Sequence, residues 1–342
     1  MEYRLLGRSG LAVSRLCLGT MTFGHETDRE GAFAQLDAFV EAGGTFIDTA
    51  DVYSHGVSEE IIGGWLAERP TIRDRVVIAT KGRFPTNAYP TGVGLSRRHL
   101  TDALDASLRR LGIDAIDVYQ YHAWDPLTPV EEYLRFVDDA VRAGKVHYFG
   151  LSNFTGWQLT AVVERARAHG WTEPISLQPQ YNLLTRYIEL EVIPAATEYG
   201  LGLMPWSPLA GGWLSGKYRR DELPTGATRL GEDPQRGMEG YTKRNTDATW
   251  AVLDAVAEVA DGSGLTMAQV ALAWLADRPG VTAPILGNRT MEQLTGSLAI
   301  ADVHLDADAT AKLDGASAPV LPDYPYGIGG VAQRSRRLEG GR

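Results

Sequence analysis

Apolar positions along the chain follow two alternating rhythms. Short apolar runs lie at 16–19, 45–48, 76–81, 116–122, 146–152, 175–178, 202–207 and 281–286. Most are followed by a stretch in which apolar residues return every three or four positions, the period of one helix face. At 28–42, Phe33, Leu36, Phe39 and Val40 share such a face, and Gly43-Gly44 stops it. At 97–111, Leu100, Leu104, Leu108 and Leu111 do the same, with Gly112 as terminator. Further helices are predicted at 58–68, 129–143, 157–169, 189–199 and 291–301, with two more at 246–261 and 266–277 ahead of the eighth run. At the start, 3–6 and 12–15 flank a Gly-bounded turn and read as a β-hairpin.

Eight such units predict parallel strands closed into a barrel with helices outside. The expected fold is an α/β (β/α)8 TIM barrel with an N-terminal β-hairpin and extra helices before strand eight. A doubly wound sheet would want a Gly-rich turn after an early strand and an acidic residue some twenty positions on. Gly92-Val93-Gly94 is the nearest candidate, but it lies in a loop and lacks the third glycine. The barrel fits better. The connection at 208–245, rich in Gly, Pro and Arg, is too long for a passive loop and is expected to act as a lid or ligand clamp. An aromatic, Gly-rich tail is expected to fold over one barrel end. No linker breaks the alternation, so one domain is expected over 1–342, with its core at about 3–318 and the tail at 319–342.

Composition narrows the partners. With 44% hydrophobic and 22% charged residues over 342 positions, the chain has ample core and wholesale disorder is excluded. Its 43 acidic against 33 basic residues leave a net charge of −10. Nucleic acid and anionic membranes need a basic face, so neither is expected as a partner. A local basic pocket for one small anion stays open. The one cysteine, Cys17, rules out an intrachain disulfide framework or a cysteine-rich metal cluster and fits a reducing cytoplasm. The opening MEYRLLGRSG is too polar for a signal peptide, and no apolar stretch approaches the ~20 residues of a spanning helix.

In such barrels the reactive groups sit at the carboxyl ends of strands. Those ends carry Asp48, with Tyr53 in the loop after it, then Lys81, His122, Ser152-Asn153, Gln178 and Trp206-Ser207. A free tyrosine, with a pKa of about 10, is a poor proton donor near neutrality. A neighbouring ammonium favours the phenolate and lowers that value. A carboxylate beside the ammonium keeps a buried lysine charged. Asp48, Lys81 and Tyr53 therefore read as a tuned proton donor, with His122 set to hydrogen-bond a substrate oxygen. Singly, Tyr53 would pack and Asp48 would cap a turn; the set is what points to chemistry. No HxH, HExxH or CxxC spacing occurs, so no metal is expected. GGWLSGK at 211–217 fits phosphate-loop spacing, but Tyr218 stands where a Mg²⁺-holding Ser or Thr belongs. A loop around a cofactor pyrophosphate explains its glycines and lysine better.

The stretches GTMTFG (19–24), FIDTADVYSHG (46–56), ATKGR (79–83), YQYH (119–122), GLSNF (150–154), LQPQYNLL (177–184) and WSPLAGGWLSGKY (206–218) resemble the aldo-keto reductase superfamily. The resemblance runs from about 3 to 300. It implies a TIM barrel that binds NAD(P)H without a Rossmann domain. It also implies reduction of aldehydes or ketones to alcohols, reversible in principle, by hydride transfer from the pro-R face of nicotinamide C4. The family's catalytic tetrad maps onto Asp48, Tyr53, Lys81 and His122, with Tyr53 as general acid. By the same likeness Ser152, Asn153 and Gln178 hold the carboxamide and Trp206 stacks on the nicotinamide ring. Ser207, Pro208, Leu209, Gly211 and Lys217 wrap the pyrophosphate, joined by Arg229 from the long connection. Thr20 and Met21 are further cofactor contacts.

Gly287, Arg289 and Gln293 match the adenosine end, where Ser297 is a further expected cofactor contact. Here Gly296 and Ser297 depart from an acidic residue and an asparagine common in the family. Arg289, beside a helix start, suits a 2′-phosphate, which implies NADPH with NADH as the weaker partner. The implied substrate is a small-molecule carbonyl compound, in a pocket formed by Phe23, Tyr53, His122 and Trp124, with Met21 beside them. Voltage-gated potassium-channel β-subunits also resemble this family; they retain NADPH with slow turnover and carry asparagine where this chain has His122. A cofactor-bound regulatory or sensing subunit is therefore the alternative.

Overall fold

Period-two alternation builds the barrel from both sides. The computed structural model describes residues 1–226 and 228–334, so part of the tail expected at 319–342 lies outside the described residues. A hairpin of β1 (Tyr3–Leu5) and β2 (Ala12–Ser14) precedes eight parallel strands. These are β3 (Cys17–Gly19), β4 (Phe46–Asp48), β5 (Val77–Gly82), β6 (Ile116–Tyr121), β7 (Val146–Ser152), β8 (Pro174–Gln178), β9 (Gly202–Leu203) and β10 (Ile285–Leu286). Neighbours pair in the order β10-β3-β4-β5-β6-β7-β8-β9. The ring closes where Leu203 bridges Val281 and the Ile285 N–H donates to Pro205 O at 2.9 Å.

Between the strands run α1 (Arg29–Glu41), α2 (Val57–Glu68), α3 (Arg97–Leu111), α4 (Val130–Arg142), α5 (Gly156–His169) and α6 (Val192–Tyr199). The short α7 (Arg229–Glu232) and α8 (Tyr241–Arg244), then α9 (Asp247–Ser263) and α10 (Met267–Ala276), separate β9 from β10. The chain continues through α11 (Met291–Leu298), α12 (Ala307–Ala316) and α13 (Ile328–Arg334). Helix ends follow their local chemistry. Asp28 caps α1 by accepting from the Gly31 N–H at 2.8 Å, and Gly112 closes α3 with φ +65°.

Outward residues Ile47, Ile78, Tyr119 and Leu177 are fully buried against the helices. Burying one such aliphatic side chain stabilises by about 1.5–3 kcal/mol. Inward residues Cys17, Phe46, Ala79, Val118 and Met204 form a separate cluster, floored by Leu6 and Val13 of the hairpin. Two positions further along three strands come Asp48, Lys81 and Gln120, so the next inward layer is polar. Gln178 joins that layer from the end of β8.

Two strands are shorter than their apolar runs, expected at 202–207 and 281–286. Pro205 and Pro284 lack the N–H a ladder needs, so regular pairing stops beside each. Helix α12 was not expected at all. Asp306 caps it by accepting from the Ala309 N–H at 2.8 Å, and Leu313 is its one wholly buried residue. Arg15, expected to end the hairpin, is fully buried and donates to Ile300, Ala301 and Val303 carbonyls and to Asp277.

Candidate active site

The polar layer is a connected set. The Lys81 Nζ donates to Asp48 Oδ2 at 2.6 Å, to Thr49 O at 2.7 Å and to the Tyr53 hydroxyl at 3.1 Å. Asp48 Oδ1 accepts from Gln120 Nε2 and Gln178 Nε2, both at 2.9 Å. Tyr53 opens a tight turn after β4 in which Ser54 and His55 take left-handed backbone angles, with φ of 49° and 56°. The Ser54 hydroxyl fastens that turn to Phe23 O at 2.7 Å. Gln120, which received no role from the sequence, lies two positions before His122 and pairs in register with Lys81. That register is the signal that would have found it.

Electrostatics sharpen the set and correct one expectation. Burial pulls the Lys81 ammonium down, but Asp48 and Tyr53 outweigh it and push it up to about 12. Tyr53 moves upward, not downward: burial is the largest influence, and the Lys81 charge pulls the phenol back without offsetting it. The hydroxyl is thus held protonated, beside an ammonium that would stabilise a phenolate there. Burial, then the Lys81 and Arg83 charges, hold His122 well below the usual histidine range, so its ring is neutral. Tyr53 and His122 stand edge to face, with ring centroids 5.9 Å apart. A neutral imidazole donates a hydrogen bond without competing as an acid.

Asp51, two residues before Tyr53, is buried, and neither carboxyl oxygen has a hydrogen-bond partner. Burial, then the Glu59 charge, push it up to about 8. In the unfolded chain the same group ionises near its ordinary value of about 4. Its contribution to stability is therefore full below that value and lost as pH rises through 8. Asp51→Asn removes the loss. Its melting temperature should gain on the wild type as pH is raised from 5 to 8, reaching an advantage of roughly 3–6 °C. Parallel melting curves across that range would show that Asp51 is not neutral in the fold.

The expected cofactor residues stand at or just after the carboxyl ends of β3, β7, β8, β9 and β10 and in the long connection. Asn153, left-handed at φ 57°, donates to His122 O at 2.9 Å and accepts from the Trp206 Nε1–H at 3.0 Å. The Ser152 hydroxyl donates to Gln178 O at 3.0 Å. Thr20 is buried and donates to Asp48 O at 3.0 Å, while Met21 is exposed. Ser207, Ala210, Gly211 and Gly212 all take positive φ, with Pro208 and Leu209 between them, turning the chain into a cradle. A Cβ on Gly212 would meet Lys217 Cε at 2.3 Å.

Around this cradle Lys217, Arg229 and Arg289 bring three cations together. Burial and the Arg289 charge hold Lys217 below the usual lysine range. Arg229 Nε and Arg289 Nη1 are buried without a partner. Arg289 already has carboxylate neighbours: its Nη2 pairs with Glu232 on α7 and stands 3.9 Å from Glu26. Its backbone N–H donates to Gln293 Oε1 at 2.8 Å. Gly287 has open space beside it, and the Ser297 hydroxyl donates to Asn288 Oδ1 at 3.0 Å. The long connection therefore reaches the loop that follows β3, where Arg236 and Glu26 pair at 2.9 Å.

The substrate side differs from expectation at one residue. Phe23 has no exposed surface and packs in the outer core, so it does not line the mouth. Trp124 is half-buried and stands edge to face with Phe154 and Trp157, at centroid distances of 5.6 and 5.3 Å. Phe84, not singled out from the sequence, packs on His122 at 4.6 Å. Among the described residues no group of three His, Cys, Asp or Glu is placed to hold a metal ion, and no helix is long and apolar enough to cross a membrane.

Comparisons with known proteins agree with this architecture. The profile of the Aldo/keto reductase family matches residues 15–318. "Uncharacterized oxidoreductase YrpG" of Bacillus subtilis (strain 168) is 38% identical over 322 residues, covering 92% of this chain and 95% of its own. "Versiconal hemiacetal acetate reductase" of Aspergillus parasiticus is 36% identical over 338 residues, with 92% and 96% covered. "Probable voltage-gated potassium channel subunit beta" of Oryza sativa subsp. japonica is 37% identical over 309 residues, with 89% and 92% covered.

Proposed function

The chain belongs to the aldo/keto reductase family, and from that premise we propose that it reduces aldehydes or ketones to alcohols with NADPH, using Tyr53 as proton donor. Membership itself carries oxidoreductase activity on small-molecule carbonyl compounds with a nicotinamide cofactor. The observation that carries the finer reading is Lys81 Nζ set between Asp48 at 2.6 Å and the Tyr53 hydroxyl at 3.1 Å. Tyr53 O–H donates to the carbonyl oxygen, and Lys81 stabilises the phenolate left behind. Asp48, held by Gln120 and Gln178, keeps Lys81 charged in its buried position. Neutral His122 donates to the same oxygen and orients it. A bound reduced nicotinamide would supply the hydride that the carbonyl carbon needs, becoming the oxidised form.

The residues present fit such a dinucleotide. Unpartnered nitrogens on Arg229 and Arg289, with Lys217 beside them, form a cationic cradle that a polyanion would complete. Ser152, Asn153, Gln178 and Trp206 would hold the nicotinamide end. Arg289→Ala should weaken NADPH by roughly tenfold to hundredfold and NADH far less, measured as paired Kd values by fluorescence titration. Glu232→Gln, which frees the guanidinium, should tighten NADPH. Equal losses for both cofactors in Arg289→Ala would mean that this arginine does not read the 2′-phosphate.

The whole activity resides in one barrel domain, in the cytoplasm, by this reading. A second reading, a cofactor-bound subunit with little turnover, is favoured by the 37% identity to a relative named as a probable potassium channel subunit beta. His122 is where the two part, because an orienting imidazole serves a reductase and not a sensor. Incubation with NADPH and sugar, aromatic, dicarbonyl and pyridoxal-type aldehydes decides between them. Sustained oxidation of free NADPH supports the reductase; a single slow turnover of bound cofactor supports the subunit.

A further inference from the structure

We propose that Arg83 is a substrate-anchoring cation at the barrel mouth, and that the carbonyl compounds this protein handles best carry an anionic group such as a carboxylate. The proposal rests on the carbonyl-reductase reading and deepens it. Arg83 directly follows Gly82, the last residue of β5, two positions beyond Lys81, so it stands on the carboxyl rim of the barrel. Its guanidinium lies 4.9 Å over the Phe84 ring, and Phe84 packs edge-on against His122 at 4.6 Å. A continuous contact thus links this cation to the imidazole that faces the substrate oxygen.

The side chain is underused for a structural arginine. A guanidinium has five N–H donors. Here Nη2 makes one long contact, 3.4 Å to Trp124 O, and Nε is buried with no partner. No ion pair among the described residues includes Arg83. Asp125 feels its charge, but both Asp125 oxygens are already taken. Oδ2 accepts from the Leu95 N–H at 2.8 Å and the Thr128 hydroxyl at 2.6 Å, and Oδ1 from the Leu127 N–H at 3.0 Å.

The backbone adds a second observation. Arg83 has φ +152°, a region that favours glycine, while its carbonyl accepts from the Gly94 N–H at 2.8 Å. Non-glycine residues held in such conformations cluster at active sites and ligand clamps. On a chain of net charge −10, a cation with no ion-pair partner among the described residues favours an anionic ligand at its place on the rim. Trp124 and the 64% exposed Trp157 supply aromatic surface nearby, so the mouth offers a flat apolar wall and one cation.

The test uses the three carboxybenzaldehyde isomers and their neutral methyl esters with NADPH. For at least one isomer the wild type should prefer the acid over its ester by roughly tenfold to hundredfold in kcat/KM, most of it in KM. Arg83→Gln should bring that ratio near one, and Arg83→Lys should keep part of it. A wild-type ratio near one for every isomer, or a high ratio that survives Arg83→Gln, overturns the proposal. If Arg83→Gln does not fold, the wild-type ratio is followed against salt; a screened charge predicts a fall, and a flat response overturns the proposal. If neither acid nor ester is reduced, the reductase reading has failed on its own. Fluorescence titration of the same pairs on wild type and Arg83→Gln then decides whether Arg83 binds the carboxylate.

Discussion

Tyr53→Phe should lower carbonyl reduction by roughly 10²–10⁴-fold while leaving NADPH binding near the wild-type value. The substitution removes one oxygen and keeps the ring that packs edge-on to His122 at 5.9 Å. It also leaves the Lys81–Asp48 pair at 2.6 Å intact, so no buried charge loses its opposite partner. The expected loss is therefore chemical and not structural. Of the groups around the site, Lys81 is held charged near 12 and its three donors are committed to Asp48, Thr49 and Tyr53. His122 is neutral and lacks an ionisable proton to spare in the working pH range. Neither replaces the phenol. Single-turnover rates with saturating cofactor provide the measurement, and near-wild-type rates would remove Tyr53 from the donor role.

Much of this site was legible because a barrel strand writes its geometry in period two. Asp48 and Lys81 end apolar runs, and each lies two positions beyond an inward core residue, Phe46 and Ala79. The same rule reaches Gln120 from Val118, yet a glutamine between two tyrosines carries no chemical signal without the pairing register. Phe23 shows the opposite failure. It sits in the family-like stretch GTMTFG and was expected to line the substrate pocket, but one residue's place in a motif does not give its exposure, and this ring is wholly buried. The direction of the Tyr53 shift was also hidden, because a neighbouring charge can be guessed from spacing while the weight of burial cannot. Arg289 met Glu232 across 57 positions, a contact created by how the long connection folds over the rim. Long connections carry little periodicity, and that is where sequence reasoning lost resolution.

Lys81→Met should destabilise the protein by about 3–5 kcal/mol, because it leaves the Asp48 carboxylate buried without its counter-charge. Gln120 and Gln178 still donate to Asp48 Oδ1 at 2.9 Å, but neutral amides do not compensate a full charge. Catalysis should fall as well, for a separate reason. The Lys81 charge is what pulls the Tyr53 phenol down against burial, so its removal makes the phenol a weaker acid still. Any alkaline limb of the pH–rate profile that belongs to Tyr53 should move to higher pH, and the plateau should drop. The two losses come apart in the double variant Asp48→Asn/Lys81→Met. With no orphaned charge it should regain most of the lost stability in denaturant unfolding, yet its rate should stay low because the phenol still lacks its ammonium. A double variant that recovers rate along with stability would mean that Lys81 acts only by holding the fold. A single variant with both plateau and limb unchanged would separate Lys81 from the proton transfer altogether.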